Sequence, residues 1–204
     1  MRIIFTRHGE SYANTQNIIS NRGLIHGLTP KGRVQAASLA RKLQDYPISR
    51  IYTSPLLRAI ETSVIFAYSL EVDYEVNDAL REFDTGSLEG RNDEDAWETM
   101  KRTFEGWMKG ERREVPLCGG ESFQDVQNRF VPFIDHLIQQ HRASEANLVC
   151  VAHGGIYWMM LPLVLENVDI QYISNHNGFD HTTIVVSEQK AGVLTCSDWI
   201  LVEN

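Results

Sequence analysis

The chain is poor in cysteine, in glycine and proline, in net positive charge and in long apolar runs, and each shortage removes a class of protein. Cys118, Cys150 and Cys196 are the only cysteines among 204 residues, their number is odd, and no C-x-x-C spacing occurs. That argues against a disulfide framework and against a cysteine-based zinc site, and predicts reduced thiols in a cytoplasmic protein. Glycine (14) and proline (6) are modest and charged residues make up 23%, so nothing in the composition points to disorder. Lys and Arg (19) are outnumbered by Asp and Glu (27), giving a formal net charge of -8. A nucleic-acid partner would call for a basic face, and this balance argues against one, although it leaves room for a small basic pocket in an acidic shell. The apolar run 3–5 between Arg2 and Arg7 is too short for a signal peptide. The longest apolar stretch, 156–165, is half a membrane span and contains Pro162. The expectation is therefore a soluble protein with no membrane partner.

What is present is a 43% hydrophobic content, enough for one sizeable core. One domain over 1–204 is the expectation. Strand and helix signals alternate. Residues 2–6 form a short apolar strand. Thr29-Pro30 reads as an N-cap followed by proline in the first turn. Ala36, Leu39, Ala40 and Leu43 then recur at i, i+3, i+4, i+7, the period of an amphipathic helix. A second strand is expected at 50–53. Ser54-Pro55 repeats the cap-then-proline signal and opens a helix towards Ala67. A weaker strand signal lies at 72–76. Residues 90–120 are polar and helix-prone, with Trp97, Met100, Phe104, Trp107 and Met108 as apolar positions, and read as a helical insertion. Residues 123–140 read as a helix that Pro132 should kink. The continuous apolar run 148–152 has the pattern of a strand buried on both faces. A helix after Gly154-Gly155 and closing strands at 182–187 and 193–196 complete the chain. The alternation predicts an α/β fold with a mainly parallel sheet, whose ligand sits at the carboxyl ends of the strands.

Two strand ends carry the chemistry. Strand 2–6 runs into Arg7-His8-Gly9-Glu10-Ser11, and strand 148–152 runs into His153-Gly154-Gly155. If both strands are central, the two imidazoles face one crevice. Glycines let backbone N–H groups approach an anion, and Arg7 and Arg58 add guanidinium forks suited to phosphate oxygens. Arginine beside His8 favours an anion over a divalent cation, so no metal is expected.

These motifs resemble the histidine phosphatase (phosphoglycerate mutase-like) superfamily. Arg7-His8-Gly9-Glu10-Ser11 with Asn14 is similar to its R-H-G-x-[ST]-x-x-N signature. Leu28-Thr29-Pro30-Lys31-Gly32 with Gln35-Ala36, and Ser54-Pro55-Leu56 with Arg58-Ala59 and Thr62, resemble two further elements. Leu80-Arg81-Glu82 followed by Gly86, Leu88, Glu89 and Gly90 resembles L-x-E-x-x-x-G-x-x-E-G. Gly119-Gly120-Glu121-Ser122 and Ala152-His153-Gly154-Gly155 complete six elements in family order. The resemblance implies a three-layer α/β/α sandwich with a mainly parallel mixed sheet and a short helical insertion, about 90–120, over the active site. It implies His8 as phosphoryl-accepting nucleophile, with Arg7, Arg58 and His153 around the phosphoryl group. Asn14 would donate a further hydrogen bond, and Gly154 would lie beside the substrate. Glu82 would act as acid and then base; Glu89 and Asp84 stand near, and Glu82 ranks first for its offset from Gly86. No cofactor is implied.

Physical chemistry agrees with those roles. A neutral imidazole is a competent nucleophile near pH 7, provided its other nitrogen is held by an acceptor such as a backbone carbonyl. Positive charge on the equatorial oxygens is the main catalytic term in such a transfer. The Gly-Gly-Glu-Ser element points to the phosphatase side, whereas Arg112-Arg113 before Pro116 only faintly resembles the corresponding element of the mutases. The expected activity is metal-independent hydrolysis of a small-molecule phosphate monoester. Phosphoglycerate mutase-type transfer, a phosphoprotein phosphatase and a non-catalytic binding module are the alternatives. A covering insertion favours a small molecule over a folded protein. Arg81, Arg91, Lys101, Arg102, Lys109, Arg112 and Arg113 are candidates for reading a second substrate charge. Gln35 reads as structural; the helical spacing of Trp97, Phe104 and Trp107 reads as insertion core, with contact to a substrate's organic part as the alternative. His26, His136, His141, His176 and His181 lack supporting neighbours and read as surface or packing residues. The resemblance leaves monomer and homodimer equally open.

Overall fold

In the computed structural model, which describes residues 1–142, 144–181, 183–190 and 192–202, a six-stranded sheet has helices on both faces. The strands are β1 (Arg2–Arg7), β2 (Ile48–Thr53), β3 (Tyr74–Val76), β4 (Asn147–Ala152), β5 (Thr183–Lys190) and β6 (Val193–Leu201). Their order is β3-β2-β4-β1-β5-β6. The pairs β2·β3, β2·β4 and β1·β4 are parallel, while β1·β5 and β5·β6 are antiparallel. The sheet is therefore mixed and mostly parallel, as expected. Residue 182, the first of the expected strand 182–187, lies outside the described residues.

The alternation of buried side chains along the central strands builds two cores. Ile4, Val149, Val151 and Ile51 point to one face, where they meet α2 (Pro30–Leu43) and α3 (Leu57–Leu70) through Leu39, Leu43, Ala59 and Phe66. Ile3, Phe5, Leu148 and Cys150 point to the other face. There they meet α5 (Phe123–His141) and α6 (Gly154–Val164) through Phe130, Ile134 and Tyr157. Burying each such aliphatic or aromatic side chain contributes about 1.5–3 kcal/mol, so both faces need a helical layer. The result is a three-layer α/β/α sandwich. α4 (Glu94–Met108) sits within the segment read as an insertion and joins the second core through Ala96 and Trp107.

Local signals explain most boundaries. The Thr29 hydroxyl caps α2 by accepting from the Gly32 amide, 3.0 Å away, and Asp93 caps α4 by accepting from the Ala96 amide. Ser122 and Asp125 form a reciprocal capping box at the start of α5. Three sequence expectations need adjustment. The helix expected to open at Ser54-Pro55 starts at Leu57, because the Ser54 hydroxyl is engaged with His153 and the Leu56 amide. The helix of the insertion covers only its first half; turns follow from Lys109 to Gly120. α5 runs through Pro132 as one helix, its flanking turns anchored in the core by Phe130 and Ile134. Two short helices, α1 (Tyr12–Thr15) and α7 (Ile170–Asn175), have no counterpart in the sequence reading.

Candidate active site

β1 and β4 are neighbouring parallel strands in which Arg7 lies opposite Ala152. Each chain leaves its strand at that point, so His8 and His153 emerge side by side. The His8 amide donates to the Ala152 carbonyl, and the two imidazole centroids lie 5.0 Å apart. Leaving β1, the chain must pass the first turn of α2 at backbone contact. A Cβ on Gly9 would collide with the Gly32 carbonyl, so glycine is required there by close approach.

His8 is 2% exposed. Its Nδ1 lies 2.7 Å from the Gly9 carbonyl oxygen, and its Nε2 lies 2.9 Å from Arg58 Nε. A carbonyl can only accept and a guanidinium can only donate. Nδ1 must therefore carry the proton, leaving a lone pair on Nε2. Burial, reinforced by the Arg58 cation and by His153, holds the His8 pKa well below the usual imidazole value. The ring is thus neutral at pH 7, with the lone pair of Nε2 facing the Arg58 cation.

Arg58, in the first turn of α3, is also buried. It donates from Nη1 to the Ser20 carbonyl (2.8 Å), and burial lowers its pKa to about 10, so it stays charged at neutral pH. Arg7 donates from Nη1 to the Phe179 carbonyl (2.7 Å). His153 receives its fixation from Ser54, whose hydroxyl lies 2.7 Å from Nε2; burial, then Arg58 and Arg7, hold its pKa well below the usual value. Arg7 Nε and His153 Nδ1 are buried atoms with no hydrogen-bond partner. Unpaired buried polar atoms are costly, and both belong to residues lining the same cavity. Both atoms are thus open to a polar ligand in the cavity.

Glu82 is buried at the same cavity. Its carboxylate accepts from the Gly155 amide (2.9 Å) and its own neighbour, the Phe83 amide (3.2 Å). Burial raises its pKa above the usual carboxylate value against the opposing pull of these bonds and of Arg58 and Arg7. A raised pKa suits a carboxyl that gives a proton and takes one back. Glycine is required at 155, since a Cβ would lie 2.6 Å from the Phe83 ring and 2.9 Å from both Glu82 oxygens. The loop carrying Glu82 is pinned from behind by Glu121. That carboxylate accepts from the Asp84 amide (2.8 Å) and from Arg129, and the Glu121 amide donates to the Asp84 carbonyl. The Gly-Gly-Glu-Ser element thus holds the loop in place. The competing carboxylates are engaged elsewhere: Asp84 pairs with Arg22, and Glu89 accepts from the Asn21 and Arg22 amides.

The structure brings Arg7, His8, Asn14, Arg58, Glu82, His153 and Gly154 together on one cavity of about 480 Å³. Asn14 is the most exposed of them, and its side-chain oxygen accepts from the Ser11 amide and hydroxyl, a turn-forming role. Sequence reasoning missed several neighbours. His181, read as a surface or packing residue, lies with its ring 5.5 Å from that of His8 and donates from Nδ1 to the His8 carbonyl (3.0 Å). Burial, then Arg7, lowers its pKa to about 4. Its neighbours in sequence carry no motif, and only the turn before β5 folds it back onto β1. Asn21 and Phe179 were missed for the same reason, while Ser54 was read from its motif as a helix cap and its bond to His153 was not foreseen. Trp97 and Phe104 pack partly against the second core and also line the cavity, so both readings of them apply, whereas Trp107 is fully buried. Among the described residues no group of three or more His, Cys, Asp or Glu side chains could hold a metal ion, and no helix is long and apolar enough to cross a membrane.

Residues 3–201 match the family profile described as histidine phosphatase superfamily (branch 1). Phosphoserine phosphatase 1 of Hydrogenobacter thermophilus is 30% identical over 154 residues, covering 75% of this chain and 71% of that protein. A 2,3-bisphosphoglycerate-dependent phosphoglycerate mutase of Bartonella bacilliformis is 30% identical over 177 residues, covering 84% of each. Some relatives are longer, and the chain spans 44% of one from Mycobacterium tuberculosis. In fold, the chain superposes on a mycobacterial glucosyl-3-phosphoglycerate phosphatase solved with VO3, with a TM-score of 0.79 at 23% identity, covering 97% of this chain and 98% of that one.

Proposed function

Since the chain belongs to branch 1 of the histidine phosphatase superfamily and is an enzyme of that type, we propose that it hydrolyses a small-molecule phosphate monoester through a phosphohistidine on His8, without a metal ion. The observation that carries this reading is the tautomer of His8: Nδ1–H held by the Gly9 carbonyl and Nε2 with its lone pair in a cluster of two guanidiniums and a second imidazole. In the first step Nε2 attacks phosphorus, the ester P–O bond breaks, and the leaving oxygen takes the proton from Glu82. In the second, water attacks phosphorus, Glu82 accepts its proton, and the P–N bond breaks to release inorganic phosphate. Arg7, Arg58 and His153 hold the equatorial oxygens through both steps, supplying the charge that a metal would otherwise supply.

The geometry favours water over a returning phosphoglycerate as the acceptor. A mutase must hold a substrate with a carboxylate and a second phosphate. Three of the seven basic residues in or near α4 are committed elsewhere, Arg81 to Asp78 and Glu121, Arg91 to Asp93, and Arg113 to the Trp107 carbonyl and the face of Phe123, and of the other four only Lys101 lines the cavity. The mutase relative keeps phosphoryl transfer between phosphoglycerates as the second reading. Phosphate release from small esters in EDTA, run beside a phosphoglycerate mutase assay, separates the two. Release that persists in EDTA and disappears in a folded His8→Ala variant is expected; isomerisation without release would move the chain to the mutase reading, and release retained by His8→Ala would remove the nucleophile.

A further inference from the structure

The cavity is chemically divided. One end holds the cationic and imidazole cluster. The rest is walled by Trp97, Met100 and Phe104 from α4, by Trp158 of α6, and by Phe179 and Phe83 from loops. Ile18 and Ile19 line the remaining side together with the uncharged polar residues Ser20 and Asn21. Outside the phosphate cluster the lining contains one charged side chain, Lys101, which is largely exposed and lies 3.9 Å from Glu105. Such a wall cannot repay the dehydration of a carboxylate or a second phosphate, because a buried charge needs a fixed partner. It does reward burial of apolar area.

From this division we infer that the leaving group of the substrate is an apolar alcohol of about the size of an aromatic ring or larger, held between α4 and the Trp158–Phe179 wall, and that compact polyanions such as phosphoglycerate are discriminated against. The inference rests on the phosphatase reading of the same site and adds the class of ester to it. Trp97 and Phe104 carry selectivity because they approach from α4, while the phosphoryl group is held by residues from the strand ends. The wall rings brace one another, Phe83 and Phe104 tilted with centroids 6.0 Å apart and Trp158 and Phe179 edge to face at 6.5 Å. Large apolar area with few polar contacts is the pattern of a site that takes its affinity from the body of the ligand and its orientation from one charged end.

The test separates binding from turnover. Phenethylphosphonate and ethylphosphonate share the charged end, cannot be hydrolysed at the P–C bond, and differ by a ring. Burial of each methylene-sized group is worth about fourfold in affinity, so partial burial of the ring predicts at least ~30-fold tighter binding of the larger compound, read by calorimetry. Phenethyl phosphate should likewise exceed 3-phosphoglycerate in kcat/KM, mainly through KM. Trp97→Ala should collapse the affinity ratio between the two phosphonates, and Met100→Lys, which places a cation on the wall without opening a core cavity, should shift preference towards 3-phosphoglycerate. Affinities within about threefold of each other, or a preference for 3-phosphoglycerate in the native protein, would overturn the inference even with hydrolysis intact. Tight phenethylphosphonate binding without ester hydrolysis would uphold the apolar site and instead remove the phosphatase reading.

Discussion

Lowering the pH from 7 to 5.5 should destabilise this protein well before its surface carboxylates titrate. His8, His153 and His181 all have pKa values held below the usual imidazole value by burial, and for each a nearby arginine adds to the effect. For a group whose folded pKa is depressed, the unfolded chain binds the proton first. Stability is then fully present above the unfolded value, about 6.5, and is lost as pH falls below it. Each such group costs about 1.4 kcal/mol per pH unit in that window, so three neutral imidazoles together cost about 4 kcal/mol by pH 5.5. Glu82 works in the opposite direction. Its raised folded pKa means that the native state takes up the proton first, so falling pH relieves the cost of its buried charge. One group against three leaves a net loss of about 2.5–4 kcal/mol, a large share of the 5–15 kcal/mol typical of a folded domain. The lowered carboxylates Glu10, Asp84, Asp93, Asp125 and Glu188 keep their stabilising effect throughout the window and lose it only as pH falls below the usual carboxylate range. Urea denaturation at pH 7.0, 6.2 and 5.5, analysed at constant m, reads the difference directly. His181→Asn should remove about a third to a half of the net slope. A stability that changes by less than ~1 kcal/mol over this range would refute the claim that all three imidazoles are buried and neutral.

Three substitutions probe the site itself. Glu82→Gln should lower kcat by about 10²–10⁴-fold on alkyl phosphates and much less on esters with acidic leaving groups such as 4-nitrophenyl phosphate, measured as initial rates on both; equal losses would mean that Glu82 gives no proton to the leaving oxygen. Gly155→Ala pushes against Phe83 and both Glu82 oxygens, and a displacement of about 1 Å should cost on the order of 10²-fold in kcat while far-ultraviolet circular dichroism stays native. Ser54→Ala leaves His153 Nε2 without its 2.7 Å partner in a buried site and should cost about 1–3 kcal/mol of stability, visible as a lower Tm, together with part of the activity; an unchanged Tm would place water in the role of the hydroxyl.

The sequence by itself determined the strand ends that carry the site, because a short apolar strand followed by a polar turn with glycine has few places to go in an α/β layered fold. Arg7-His8-Gly9 and His153-Gly154-Gly155 were legible for that reason, and so was the capped, amphipathic α2. The helix expected at Ser54-Pro55 was displaced by two residues because a hydroxyl that normally caps a helix is drawn to a histidine 99 positions away. No local pattern reports such a bond. His181 shows the same limit: nothing beside it in the chain marks it, and it reaches His8 only because β5 pairs antiparallel with β1 and the turn before β5 therefore falls beside the turn after β1. Tertiary structure alone decided the protonation chemistry as well. The tautomer of His8 follows from a carbonyl on one side and a guanidinium on the other, and the raised pKa of Glu82 follows from burial beneath Gly155 and Phe83. Residue types and spacing are local properties and survive in the sequence, whereas desolvation and the pairing of distant polar groups exist only once the chain has closed around them.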